Sequence, residues 1–506
     1  MNNLSTTIAA RALWSTVAAL LMLCTFAAQT LAQTAGGVVI SNTATATYSD
    51  GTQTYNATSN TVTVTVANVA GLTITPDETS SSASVPAGVS SNYTFTVTNT
   101  SNFSNVVQFG TTGVAYQLSG AGSSGATVTQ AFVDADNSGT FNTGDVDITT
   151  AGAQSASLAM NASVTVIIRV TSASNASGDL TVTLGDASTG GASFDNQAHS
   201  ATGNDVFTVT AGINGQREAK GTKIKSIATV SLLNGPSGAP AATGPGGNTN
   251  TDFTNKSIQT GINVAYNGGA GTTSSASEQV VFTNTLRNDG GLTDTVTLSV
   301  PAGGFPAGAT VDIDSDGAGG GGYVTVINAG AATGNPVPTV SLAAGATANY
   351  TVRVTLPSGL VVTTGYDTVI RATSGLNNTF SNETIDRLYT GFMRLVKAAT
   401  VSGGSPAATD PVPGATLTYA ITYENVSSSG SVAGASGNIT LTVSNLTITE
   451  DGAAGGNNWA TTTTHVSATD AGGTVTPGVG NNSYTDLIAS LAPGATGTFT
   501  IVRTIN

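Results

Sequence analysis

The sequence predicts an all-β protein of tandem β-sandwich units arranged as a rod, and three observations carry that prediction. Ser341–Thr355, SLAAGATANYTVRVT, places Leu342, Ala344, Ala346, Ala348, Tyr350, Val352 and Val354 on every second position, the spacing that puts side chains on one face of a strand. The same phrase returns as Ser157–Thr171, SLAMNASVTVIIRVT, and as Ser490–Thr504, SLAPGATGTFTIVRT, and three copies imply three related units. Only 8% of the 506 residues are charged and 62 are glycine, against about 25% charged in ordinary soluble domains. Short alternating strands separated by turns every 8–12 residues are a sandwich pattern.

The chain opens on a leader-like segment, 1–32. Arg11 supplies a positive start, Val17–Ala28 is apolar, and Thr30-Leu31-Ala32 offers small residues for cleavage, which together read as a secretory signal peptide. The single cysteine, Cys24, lies inside it, so the mature chain is expected to hold no disulfide and to rely on its cores or on bound metal. No later apolar run approaches the length of a membrane span, about 18 residues. Residues 33–70 contain two strand candidates, Val38–Tyr48 and Val62–Val69, around the turn-rich SDGTQTYNATSN. They form either a strand pair packed on the first unit or an extension that adds to the sheet of a neighbouring molecule.

The first sandwich spans 71–213, with Tyr93, Phe95 and Val97 on one strand face. The second, 214–390, starts at the basic cluster Arg217, Lys220, Lys223 and Lys225, which reads as edge cover or as partners for carboxylates. The third, 391–506, follows FMRLVKAATV with VPGATLTYAITYENV, where Leu417, Tyr419, Ile421 and Tyr423 are in phase. PVPGATLTYAITYEN near its start and SLAPGATGTFTIV near its end resemble the bacterial conserved-repeat domain (domain of unknown function eleven), found in tandem in large cell-surface and envelope proteins. The resemblance is best in the third unit, fair in the first and loose in the second. It implies immunoglobulin-like β-sandwiches displayed outside the cell, and it brings no catalytic residues.

Two loops carry candidate chemistry. Asp134–Asp145, DADNSGTFNTGD, has the twelve-residue spacing with which a loop wraps a calcium ion in oxygen ligands. Asp134, Asp136 and Ser138 fill positions 1, 3 and 5, Gly139 the turn, the Thr140 carbonyl position 7, Asn142 position 9 and Asp145 position 12. Its flanks predict strands, so this is a calcium loop on a β scaffold. The second unit offers Asp312, Asp314 and Asp316 before Gly317 in VDIDSDGAGGGGY, with Tyr323 at position 12. The competing reading for both is an Asp/Gly turn between strands.

No catalytic set is expected. His199 and His465 fall in different units and read as solvated surface side chains, and no serine has a base placed beside it. Trp459 reads as core filler. A formal charge of −14 disfavours nucleic acid, which needs clustered Lys and Arg. Two function classes remain. One is a secreted structural protein of the bacterial cell surface, a component of an envelope, surface layer or extracellular filament that associates with itself or with other envelope proteins. The other is an adhesin whose loops take a glycan or a protein, with calcium.

Overall fold

Tight turns and buried asparagines decide how the alternating segments become sandwiches. The computed structural model describes residues 33–506 apart from 188–193, 202, 245–246, 258–278, 318–321, 358–359, 361 and 430–439; the leader 1–32 and Cys24 lie outside the described residues. The fold is all-β as expected, with one four-residue α-helical turn, Trp459–Thr462, beside the strands. Two compact units emerge, one ending at Ile227 and one running from Ala228 to Asn506.

In the first unit a five-stranded sheet runs Val146–Asp147, Thr127–Asp134, Ser163–Thr171, Ser90–Asn99, Leu72–Thr75. Tyr93, Phe95, Val97, Val166 and Ile168 point from it into one core, shared with Leu180, Val182 and Leu184 of Gly178–Leu184. The strand Gly221–Ala228 pairs along Gly178–Leu184 from Gly221↔Leu184 to Ile227↔Gly178. This corrects the expected boundary at 213/214. Residues 214–227 close the first sandwich, because Gly221, Ile224 and Ile227 on that strand are buried between its basic residues. Lys223 pairs with Glu78, Lys225 donates to the Asn92 carbonyl at 2.8 Å, and Lys220 lies over the Phe194 ring at 3.6 Å.

The second unit contains two separate cores. The first lies between a six-stranded sheet centred on Gln279–Asn288 and Thr347–Thr355 and a five-stranded sheet centred on Tyr366–Thr373 and Ser381–Tyr389. Phe282, Leu286, Tyr350, Val352 and Leu388 are fully buried in it. The second lies between Met393–Ser402, Thr416–Asn425, Thr496–Ile505 and Thr463–Thr469 on one side and Val443–Asp451, Ser483–Leu491 and Thr474–Pro477 on the other. The C-terminal strand Thr496–Ile505 pairs on both of its edges, with Thr416–Asn425 and with Thr463–Thr469, so it is a central strand of its own sheet. Trp459 is 5% exposed, with Tyr419 stacked at 5.2 Å and the Arg503 guanidinium at 4.6 Å from its ring.

The repeated phrase is not one continuous strand. In each copy a turn interrupts it: the amide of Ala162 donates to Ala159 O, that of Ala346 to Ala343 O and that of Ala495 to Ala492 O, each at 3.0 Å. The third turn residue has positive φ every time, at Asn161 (61°), Gly345 (73°) and Gly494 (72°), the left-handed position that Asn and Gly tolerate. In the last two copies the turn carries the chain from one sheet to the other, from Thr339–Leu342 to Thr347–Thr355 and from Ser483–Leu491 to Thr496–Ile505.

A buried asparagine clasps each turn. Asn99 Nδ2 donates to Leu158 O (2.9 Å) and Ala159 O (3.2 Å), Asn288 Nδ2 to Leu342 O (3.0 Å) and Ala343 O (3.3 Å), and Asn425 Nδ2 to Leu491 O (3.0 Å) and Leu441 O (2.8 Å). Each Oδ1 accepts the amide two residues on, from Ser101, Gly290 and Ser427. All three asparagines are at most 2% exposed, so removing one takes a donor from the turn carbonyls and leaves the amide two residues on without its acceptor, at about 1–3 kcal/mol for each orphaned group. Asn425→Ala should therefore destabilise the third core by roughly 2–4 kcal/mol, read as a lowered midpoint in denaturant melts followed through Trp459 fluorescence; a midpoint within error of wild type would remove the clasp from the account.

Candidate functional site

The loop after strand Thr127–Asp134 gathers the expected ligand atoms. Asp134 is the last residue of the strand and is 2% exposed; its carboxylate accepts from the Ser138 amide (3.1 Å) and the Gly139 amide (2.9 Å). Positive φ at Asn137 (56°) and Gly139 (74°) folds the loop back over that carboxylate. Asp145 accepts from the Ala135 and Asn142 amides, both at 2.9 Å. One carboxylate oxygen from each of Asp134, Asp136 and Asp145 lies within 4.8 Å of the others. The Asn142 amide nitrogen stands among three of the remaining oxygens, 3.0 Å from Asp136 Oδ2, 2.9 Å from Ser138 Oγ and 3.3 Å from Thr140 O. Its two N–H bonds supply positive charge density where a cation would sit, and turning the amide over would present its oxygen instead.

The second loop is built differently. Asp312 faces its own sheet: Arg353 Nε and Nη2 are both 2.9 Å from Asp312 Oδ2, and Thr325 Oγ1 donates to Oδ1. That carboxylate is committed to the cross-strand pair Asp312↔Arg353, which corrects its expected place beside Asp314 and Asp316. Asp314 is 1% exposed and accepts from the Asp316 amide at 3.2 Å. Among the described residues these three do not form a cluster of carboxylates around one point.

Residues 38–66 form a single antiparallel ribbon, where two longer strands were expected. Val39–Asn42 pairs with Val62–Thr65, and Thr45–Ser49 with Thr54–Thr58. Thr43 and Thr61 are bonded through their hydroxyls and the Ser59 amide donates to Ala44 O, which leaves Asn60 as the extra residue of a bulge. With that bulge, Ile40, Asn42, Ala46 and Tyr48 share a face with Val64, Val62, Ala57 and Tyr55, an apolar face with one asparagine. The opposite face is Val39, Ser41, Thr43, Thr45, Thr47 and Ser49 against Thr54, Asn56, Thr58, Thr61, Thr63 and Thr65, polar but for Val39. The ribbon is one-sided, and every residue of its four strands is exposed. Ile40 is 55% exposed, Tyr48 59% and Val64 62%. The reading in which this segment packs on the first unit is thereby corrected.

Its root is firm. Asn102, 3% exposed, donates to Ala67 O and Thr34 O, and its Oδ1 accepts the Val69 amide at 2.7 Å, so one side chain holds both legs. At the tip Asp50 accepts from the Thr52 and Gln53 amides and the Tyr55 hydroxyl, and these bonds hold its carboxyl well below the usual range.

Neither histidine is solvated as expected. The His199 ring stacks on Phe207 with centroids 3.7 Å apart, and its Nε2 is 2.6 Å from Asp205 Oδ2; His465 Nδ1 is 2.7 Å from the Tyr484 hydroxyl. No signal in the sequence marked these partners, since a histidine in a Thr/Ser/Ala-rich stretch looks alike on either side of a sheet. Sequence reasoning also missed a pair of buried acids in the second core. Asn284 Nδ2 donates to Asp386 Oδ2 at 3.1 Å, and Thr384 Oγ1 to Asp252 Oδ2 at 2.6 Å. Burial pushes the Asp386 carboxyl up to about 8 and that of Asp252 up to about 7. Phe253, Arg387, Ser428 and Ser429 line a cleft of about 630 Å³ nearby.

No protein-family model matches the chain, and no curated protein matches it either; the third unit's likeness to the conserved-repeat domain stays a resemblance of sequence. Solved structures align over long stretches at low similarity. The C-terminal domain of the Streptococcus pyogenes antigen I/II-family protein AspA is 10% identical, over 64% of this chain and 100% of that one, with a TM-score of 0.23. The Streptococcus agalactiae AgI/II polypeptide BspA C-terminal domain is 9% identical over 62% and 99%, also at 0.23. The CupB6 tip adhesin from Pseudomonas aeruginosa is 11% identical over 64% and 98%, at 0.17. At such TM-scores these superpositions carry no functional weight, and the all-β fold stands on the strands themselves. No helix among the described residues is long and apolar enough to cross a membrane.

The two raised carboxyls set a pH dependence. Both stay protonated in the folded protein at pH values where the unfolded chain, with carboxyls near 3.8, has released those protons. The folded state then binds more protons, so stability falls as pH rises from about 4 to about 8 and levels off above that. Asp386→Asn keeps the shape without the titration. Its melting temperature should exceed that of wild type by more at about pH 9 than at about pH 5; an equal gap at both values would mean that Asp386 is ionised in the fold.

Proposed function

We propose that the chain is a secreted structural protein of the bacterial cell surface, without a catalytic step, that assembles with further copies of itself through the N-terminal ribbon. One observation carries this reading: a ribbon rooted by Asn102 presents an uncovered apolar face of Ile40, Val62, Val64, Tyr48 and Tyr55. A two-stranded ribbon alone is marginal in water and gains its stability from a third strand or a packed face. Between Gly37 and Ala70 the only charge is Asp50 and there is no proline, so neither charge nor proline blunts its exposed edges. Two copies of one face are self-complementary by symmetry. The secreted location rests on the leader-like segment, and the surface role on the repeated sandwiches.

Sedimentation of the full chain, of a chain lacking Gln33–Val69, and of Ile40→Thr plus Val64→Thr should show multimers in the first alone, with melting of the two sandwich units unchanged in all three. Multimers that persist in both variants would sink assembly through the ribbon. They would favour the adhesin reading, for which the cleft lined by Asn248, Thr251, Ser428 and Ser429 offers hydroxyl and carboxamide groups to a sugar.

The acidic loop of the first unit is proposed as a calcium site. It is held by Asp134, Asp136, Ser138, the Thr140 carbonyl, Asn142 and Asp145, a hard-oxygen set that suits Ca²⁺. A ligand that binds only the folded state stabilises it, by about 2.7 kcal/mol at a hundredfold excess over Kd. Calcium should raise the melting midpoint of the first unit relative to chelator, and Asp134→Ala plus Asp136→Ala should abolish the difference. A wild-type midpoint indifferent to calcium would remove the site.

A further inference from the structure

We propose that the third sandwich holds a second divalent cation, a calcium ion shared by Asp470 and Asp486 at the Gly472–Gly473 turn. Asp486 sits in mid-strand, opposite Ile448 on one side and Val475 on the other. It occupies an inward position between Tyr484 and Ile488, where the alternation calls for an apolar residue. Its exposure is 0%, and no N–H or hydroxyl donor among the described residues reaches either of its carboxylate oxygens; the polar group beside them is a second carboxyl, that of Asp470. A buried carboxylate with two bare oxygens is costly, so something outside the chain completes it.

The neighbouring groups say what that is. Asp470 follows strand Thr463–Thr469, and its Oδ1 accepts the Gly472 amide at 2.9 Å while its Oδ2 accepts the Tyr423 hydroxyl proton at 2.7 Å. A Cβ placed on Gly473 would collide with Asp486 Oδ1 and lie 2.9 Å from Asp470 Oδ2, so the two carboxylates converge on this glycine, whose missing side chain lets them approach each other. No ion pair among the described residues reaches either acid. The nearest buried cation, Arg503, spends its donors on Thr463, Asn481, Asn482 and Tyr484. Two carboxylates in contact cannot both ionise without positive charge between them. A shared proton would satisfy one Asp486 oxygen and leave the other bare. A calcium ion takes both, accepts Asp470 as a further ligand and completes its shell with water.

The test uses the full chain carrying Asp134→Ala and Asp136→Ala, so that the first loop cannot answer for the third sandwich. Calcium titrated into it should give one calorimetric site, with Kd of about 10⁻⁴–10⁻³ M as in extracellular modules, and a rise of about 2–5 °C in the melt followed through Trp459. Adding Asp486→Asn should abolish both responses and raise the calcium-free melting temperature, because the repulsion is gone; Asp470→Asn should abolish the binding heat as well. A variant merely damaged in folding would melt lower without calcium. No heat and no shift in the parent, or a calcium response that survives both substitutions, would overturn the site and leave a shared proton as the occupant.

Discussion

The geometry of the three sandwiches depends on one small interaction, the carboxamide that ties the end of an early strand to the turn before a late one. Asn99, Asn288 and Asn425 each donate to the carbonyl of the leucine that opens the repeated phrase or of the alanine after it, and each accepts an amide two residues downstream. In the second and third sandwiches the turn is where the chain changes sheet, so this side chain fixes the point at which the two layers are stitched together. The carbonyls there stand at the last ladder pairs and in the turn that follows, and a buried carbonyl must be paired by something. Asparagine can accept and donate at once within one short, planar group. Leucine would fill the space and leave the carbonyls bare. Aspartate would supply no donor.

With the turns held this way, the cores can be small. The third is the smallest, with nine buried hydrophobic residues including Trp459, Tyr423 and Tyr484, and it admits a fully buried arginine. Arg503 is 1% exposed, and its guanidinium is met by Thr463, Tyr484, Asn481 and Asn482 and faces the Trp459 ring. Such a network is costly unless every donor is met. Where it is met it fixes one packing of Thr463–Thr469 against Thr496–Ile505.

Strand positions were legible in the sequence because period-two alternation survives in Ser90–Asn99, Thr347–Thr355 and Thr496–Ile505. The turn inside the repeated phrase was not, since small alanines preserve the alternation across a bend: Ala344 and Ala346 fit a strand as well as a turn. The clasping asparagines were present as TNTSN, LRNDGG and YENVS, but in a chain rich in Asn, Ser and Thr each looks like a turn residue. Asp312 shows the reverse error. Loop spacing placed it with Asp314, and its cross-strand neighbour Arg353, 41 residues on, claimed it instead. The basic strand Gly221–Ala228 looked like a junction because its lysines stood out, while Gly221, Ile224 and Ile227 were what buried it.

The ribbon is the place where local and global consistency part. Each level of its construction is sound: alternation, cross-strand pairs, a stacked Tyr48–Tyr55 pair at 5.4 Å, a capped tip and a two-legged anchor on Asn102. What it lacks is anything on its apolar side. Elsewhere in the chain such a face is covered by an opposing sheet, as Tyr93, Phe95 and Val97 are. The sequence caps, bulges and anchors this ribbon and still leaves Ile40, Val62 and Val64 uncovered among the described residues, and that face is the one the proposed assembly would bury. The threonine-rich opposite face, uncharged and polar but for Val39, is the side that water suits better, so burying the Ile40 and Val64 side costs less in lost hydration than burying the other.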